Sequence, residues 1–321
     1  MPTPRGIIAV ACIIACTPIA ATAAVPQRGA NTPAWPVADT EVQLPLGAHE
    51  SFDAGTWSPD GRHIAFIEPG SAPLTAAVWI VDGERGADGS ERTLCRVPLT
   101  GITGDLMWPA PGDYIYVVRN RDPERSVHGA LYRVRVSDGA VGEVVRWPHT
   151  RVVWAAAASP DGRRVVLDFD GSLVVVDVPS KKMSTVHRWV PHGSGGLSWS
   201  PNGKTIAFGR NGYVCTIAPN GKTLRTICRG GYTCWSPDGR WIVFTRETDE
   251  GRAPGGQKIN PHTTAYVIRP DGTGEHRLAP NVTDDQMNPM WSPQGNRILY
   301  RRFEMRIGPV PTRWWMAALR A

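Results

Sequence analysis

The chain has 321 residues, of which 41% are hydrophobic and 20% charged, with a formal net charge of +6. That balance is an ordinary globular one rather than that of a disordered polyelectrolyte, and the apolar run 6–15 is too short to span a bilayer as a permanent helix. The positive charge is spread over short mixed runs, 119–125 (RNRDPER), 246–252 (RETDEGR) and 301–306 (RRFEMR), with no aromatic interleaving, which speaks against a nucleic-acid groove.

At the start of the chain, Arg5, the apolar run 6–15 and the small-residue triplet Ala21-Thr22-Ala23 predict a secretory leader over residues 1–23. Ile13-Ile14-Ala15-Cys16 resembles a bacterial lipobox, which gives the alternative of a leader over 1–15 and a lipid anchor on Cys16. Residues 24–38 lack apolar periodicity and read as an extended lead-in, and the alternating stretch 41–46 reads as a strand. The remainder, 39–321, reads as one domain.

That domain is organised by a stretch that returns. Residues 57–66 read WSPDGRHIAF, 158–167 ASPDGRRVVL, 199–208 WSPNGKTIAF, 235–244 WSPDGRWIVF and 291–300 WSPQGNRILY, with a worn copy, WPAPGDYIYV, at 108–117. The glycines at 61, 112, 162, 203, 239 and 295 recur about every 47 residues, a period that marks a repeat architecture. In each copy Pro presets φ and Gly accepts positive φ, so the motif predicts a tight turn followed by a buried strand. Further strands are predicted over 77–81, 131–136, 173–176, 213–217 and 265–268. Most of these end in a second turn such as Asp82-Gly83, Asp138-Gly139, Asn220-Gly221 or Asp271-Gly272. A fourth strand follows, as at 92–97, 224–228 or 276–278. Four antiparallel strands repeated six times predict an all-β, six-bladed β-propeller.

The WSPDG motif with a downstream Asp-Gly strand end resembles the WD40-like repeat of TolB-type β-propellers from bacterial envelopes, over nearly all of 39–321. The α/β domain that precedes the propeller in TolB has no counterpart in the short stretch before the first repeat. The resemblance implies an exported envelope protein, periplasmic or extracellular, that works as a binding or scaffold module on a protein or peptide partner. It is expected to be a monomer without a cofactor, and to meet a membrane only through the Cys16 anchor.

The last copy leaves room for only two further strands, 297–301 and 313–319, so the sixth blade lacks an outer strand. The stretch 41–46 is expected to supply it and close the ring. Of Cys95, Cys215, Cys228 and Cys234, the pair Cys228 and Cys234 is the favoured disulfide, with Cys215 and Cys228 as the alternative. Cys95 is expected to be a buried free thiol. Trp57, Trp108, Trp199, Trp235 and Trp291 share one repeat position and are expected to pack between blades. Trp315 is expected in the core.

No G-x-S-x-G, H-E-x-x-H, C-x-x-C, P-loop or G-x-G-x-x-G motif is present, so the residues favour binding over catalysis. His49, His149 and His192 each precede a repeat anchor by seven to nine residues, and Gln286 precedes another by five. These ligand types resemble the channel metal site of oligogalacturonate lyases, which keeps open an alternative: a channel-face lyase or hydrolase acting on an anionic polysaccharide. The strand connections with the largest length variation all fall on one end of the ring, together with Arg121, Arg125, Arg246, Arg252, Asp284 and Asp285, and this end is the expected partner face. A basic exterior adds a long-range attraction to anionic envelope polymers or lipid head groups.

Overall fold

The computed structural model describes residues 38–46, 54–69, 76–83, 92–97, 105–120, 128–148, 150–188, 196–248, 262–279, 285–303 and 313–319. Every regular element among them is a strand, and the strands form six four-stranded antiparallel sheets. Blade 1 holds β2 (Ala54–Trp57), β3 (His63–Pro69), β4 (Ala76–Asp82) and β5 (Arg92–Val97). Blade 2 holds β6 (Leu106–Met107), β7 (Tyr114–Arg119), β8 (Gly129–Arg135) and β9 (Val141–Trp147). Blade 3 holds β10 (Val153–Ala158), β11 (Arg164–Phe169), β12 (Ser172–Asp177) and β13 (Lys182–Arg188). Blade 4 holds β14 (Leu197–Trp199), β15 (Ile206–Arg210), β16 (Tyr213–Ile217) and β17 (Arg225–Arg229). Blade 5 holds β18 (Gly231–Trp235), β19 (Ile242–Thr248), β20 (His262–Ile268) and β21 (His276–Arg277). Blade 6 joins β22 (Asp285–Trp291), β23 (Arg297–Phe303) and β24 (Arg313–Leu319) to β1 (Ala38–Gln43), the first strand of the chain.

The turn between the first two strands explains why Ser, Pro, Asp and Gly recur. The Ser58 hydroxyl donates to Asp60 Oδ1 and accepts from the His63 N–H, while Asp60 Oδ1 also accepts from the Arg62 N–H. The same set forms at Ser159 with Asp161, Ser200 with Asn202 and Ser236 with Asp238. The repeated acid is thus a turn-maker, which is why Asn serves equally at 202. The turns also touch one another: a methyl placed on Gly239 would lie 3.1 Å from Pro201, and one on Gly295 3.3 Å from Pro237. In blade 6 Gln294 takes the acid's place, and its amide donates instead to the carbonyl of Asp60. That bond joins the last turn to the first, so the turns form a closed ring at one end of the molecule.

Ring closure at the outer edge follows the expected route. β1 pairs antiparallel with β24, with Glu41 opposite Ala317 and Gln43 opposite Trp315. It is locked by the Tyr300 hydroxyl donating to Glu41, by Arg313 donating to Gln43, and by the Ala38 N–H donating to Leu278 of blade 5. Leu44 and Leu46, just past the strand, are buried in the core that joins blades 6 and 1. The strand itself is Ala38–Gln43 rather than 41–46, because Leu44 and Leu46 are used for packing.

The repeat-position tryptophans 57, 108, 199, 235 and 291 are all buried between blades. Trp315, expected in the core, is not the buried member of the Trp314-Trp315 pair. Trp314 is the core residue, edge-on to Phe66 of blade 1 with ring centroids 5.2 Å apart, while Trp315 is half-buried under the Arg302 guanidinium. Successive strand residues face opposite sides of the sheet, and the side toward blade 1 falls to Trp314.

Four outer strands carry a bulge at the same place. It falls at Leu94, Val144, Val186 and Ile227, which puts Cys95 opposite Val78, Val145 opposite Leu131, His187 opposite Leu173 and Cys228 opposite Val214. Bulges twist an edge away from foreign pairing. Here they also seat the neighbouring blade: a methyl on Gly139 would lie 2.4 Å from the Leu94 carbonyl, and one on Gly221 2.4 Å from the Val186 carbonyl.

Candidate functional site

The innermost strand of each blade has a strand neighbour on one side only, so the backbone groups along its other edge need partners. Side chains supply several of them. Along β10, Asn120 both donates to the Val153 carbonyl and accepts from the Val153 N–H, Asp105 accepts from the Ala156 N–H, and Trp199 donates to the Ala157 carbonyl. On β18, Ser198 accepts from the Trp235 N–H.

At the end opposite the ring of turns, these strands lose their sixfold likeness. The position seven residues before the repeat glycine is Ala54, Asp105, Ala155, Gly196, Tyr232 and Asn288. β10 bulges at Trp154, β18 across Tyr232 and Thr233, and β22 across Asn288 and Pro289. Tyr232 and Asn288 hold φ of 51° and 54°, which side-chain-bearing residues rarely adopt. Bulges re-aim side chains and gather at functional rims. Here the bulge leaves Trp154 37% exposed, the only large hydrophobic on an innermost strand so exposed among the described residues. Close by in sequence, the Arg151 guanidinium stacks on Phe169 and lies 3.6 Å from Asp170, whose carboxylate accepts from the Val152 N–H.

Below this rim lies a buried acid pair between blades 2 and 3. Asp105 is 3% exposed and Asp168 fully buried. Burial pushes the Asp105 carboxyl well above its ordinary range; the Ala156 N–H opposes that shift and the charge of Asp168 adds to it. The corresponding positions to Asp168 in other blades include Ile67, Val118 and Gly209, so this acid also breaks the repeat.

The residues singled out from the sequence distribute as follows. Cys16, His49, Arg121, Arg125, His149, His192, Arg252 and Asp284 lie outside the described residues. Gln286 is 1% exposed, and its amide oxygen accepts from the Ala265 N–H. Asp285 likewise accepts from the Thr263 N–H at 2.6 Å. Both cap the edge of β20 where the two-residue β21 is too short to cover it. Arg246 donates to both oxygens of Glu275 and to the Arg229 carbonyl, and stacks on Phe244 and Tyr266. It therefore ties blade 4 to blade 5. Among the described residues no group of three or more His, Cys, Asp or Glu is placed to hold a metal ion.

The Cys228–Cys234 disulfide does not form. Cys228 packs in the core between blades 4 and 5, whereas Cys234 belongs to the core on the other side of blade 5. Cys228 is a free thiol, as are Cys95 and Cys215. The alternative pair fails too. The bulge at Ile227 sets Cys228 opposite Val214 rather than Tyr213, and Cys215 faces the core shared with blade 3. Cys95 is half-buried rather than buried; burial pushes its thiol up to about 11 and that of Cys228 up to about 12.

With this geometry in place, known proteins can be compared. No family model and no curated protein sequence matches the chain. Among solved structures, a putative TolB from Agrobacterium tumefaciens is similar at a TM-score of 0.52 and 17% identity, over 83% of this chain and 90% of that one. The chain shares its propeller fold. An oligogalacturonate lyase from Vibrio parahaemolyticus is similar at 0.54 and 14%, over 82% and 76%. An oligogalacturonate lyase in complex with manganese is similar at 0.53 and 15%, over 83% and 76%. At these identities the likeness is one of architecture, which many unrelated activities share.

Proposed function

We propose that this chain is an exported cell-envelope binding protein that holds a protein or peptide partner against the end of the propeller opposite the ring of turns. The observation that carries this reading is the contrast between the ends. One is closed by near-identical turns, while the other combines the variable connections with bulged innermost strands and the exposed Trp154, three residues along the chain from Arg151. Tryptophan and arginine are among the residue types enriched at the energetic anchors of protein interfaces. Export rests on the predicted leader over 1–23.

The test immobilises the purified protein, exposes it to an envelope fraction and identifies what is retained. Trp154→Ala and Arg151→Glu should each lower retention of a specific partner at least about tenfold, the usual scale of an anchor residue. Retention unchanged in both, with unchanged melting temperatures, would move the binding surface elsewhere.

A further inference from the structure

The ring-of-turns end is uniform in backbone but not in charge. In blades 3 and 4 its turns present Arg163, Lys181, Lys182, Lys204, Lys222 and Arg225, every one exposed. Against these six stand two carboxylates, Asp161 and Asp177. Asp161 accepts from Ser159 and the Arg163 N–H, and Asp177 accepts from Ser180, so both are held within their own turns. At the same end of blades 1 and 2 the excess of cations is lost among the described residues, with Asp60, Asp82, Asp113 and Asp138 beside Arg62, Arg92 and Arg135.

Most arginines elsewhere are already engaged. Arg119, Arg133, Arg151, Arg246, Arg269 and Arg302 lie over aromatic rings. None of the six cations on the turns of blades 3 and 4 makes such a stack. The two blades meet directly: Arg164 reaches the Gly203 carbonyl, and Gly221 sits against β13 at Val186. The cations therefore form one continuous sector rather than two patches. Between Lys222 and Arg225 lies Leu224, an apolar side chain left 37% exposed.

We propose that this sector is a docking surface for a membrane bearing anionic phospholipid head groups. Turn tips at one axial level make a shallow face that suits a planar array of charges better than a single polymer strand. Cations flanking an exposed leucine are the pattern of a shallow membrane contact, in which the apolar tip enters the interface and the charges hold the head groups. Seated this way, the opposite end of the propeller faces away from the bilayer, where it can meet a partner. The inference uses pure lipid and is independent of any protein partner.

The experiment is co-sedimentation of the full chain with phosphatidylcholine vesicles, with and without phosphatidylglycerol, across a salt series. Binding is expected only with phosphatidylglycerol, and it should weaken with salt because the charges are exposed. The triple variant Lys182→Glu, Lys204→Glu, Lys222→Glu should lower partitioning on the order of a hundredfold, since each cation near an anionic surface is worth about fivefold. Arg188→Glu with Arg229→Glu, exposed at the other end, should bind as the parent does. The proposal is overturned by absence of vesicle binding, by a triple variant that binds normally, or by a folded protein that binds soluble heparin but no vesicle.

Discussion

At the ring-of-turns end, the links between first and second strands hold five or six residues in every blade. At the other end, the links between second and third strands range from the two-residue Asp170-Gly171 and Asn211-Gly212 to the thirteen residues between Thr248 and His262. The difference teaches where the fold's constraints lie. A turn whose glycine rests against the preceding blade's proline cannot lengthen without breaking its neighbour. The connections at the other end carry no such repeated motif, and their lengths differ from blade to blade. The same sequence unit thus builds one end as a joint and leaves the other for variation, which is the usual division between scaffold and binding loops.

The comparison breaks most completely if the ring is opened. Removing residues 38–46 takes away β1, the Tyr300–Glu41 and Arg313–Gln43 bonds and the buried Leu44 and Leu46. The two leucines alone are worth about 2 kcal/mol each, and β24 is left with a bare edge. The truncated chain should aggregate or melt more than ~10 °C below the parent, and a synthetic 38–46 peptide should restore it. Unchanged melting would show that the closing strand is dispensable.

A glycine pair sharpens the contrast between the two ends. Gly221 has φ of 82°, and a methyl there would lie 2.4 Å from the Val186 carbonyl, whereas Gly212 has φ of 74° with nothing within 4 Å. Gly212→Ala should cost about 1 kcal/mol for the left-handed backbone alone. Gly221→Ala adds a backbone clash and should cost roughly 2–4 kcal/mol. Urea denaturation of both variants measures the gap, and equal losses would mean that the bulge-to-turn contact is slack.

The same contrast explains what the sequence disclosed. The repeat spelled out six blades, the turn role of Asp60, the burial of the shared tryptophans and the closing strand, because each follows from local spacing or from counting strands. The face of each residue was less legible. A single bulge at Ile227 shifted Cys228 by one position, and beside the short β21 both Gln286, a channel candidate, and Asp285, a partner-face candidate, serve as edge caps. Arg246 read as a surface cation because Glu275, its partner, is 29 residues away. Asp105, Asp168, Trp154 and Tyr232 were visible as departures from the repeat. A consensus reading passes over them because it attends to what recurs.

The smallest expected effect concerns pH, where the ends carry opposite signs. At the ring of turns, partial burial pushes the Asp60 and Asp161 carboxyls up, but the serine hydroxyls and the following N–H groups more than offset it and hold both below the ordinary carboxylate range. Acids depressed in the folded state contribute stability above the unfolded pKa, near 4, and that stability is lost as the pH falls through the folded value. Asp105 runs the other way. Its carboxyl is raised by burial and by Asp168, so the folded chain keeps a proton that the unfolded chain gives up. Stability is then full below the unfolded pKa and declines as the pH rises from there toward the folded one. Asp105→Asn keeps an oxygen to accept from the Ala156 N–H and removes the ionisation. The variant should melt close to the parent near pH 4 and progressively above it toward pH 8, by a few degrees at most. A constant offset across that range would mean that Asp105 is ionised in the fold, and that the two carboxylates between blades 2 and 3 are compensated by a group not yet identified.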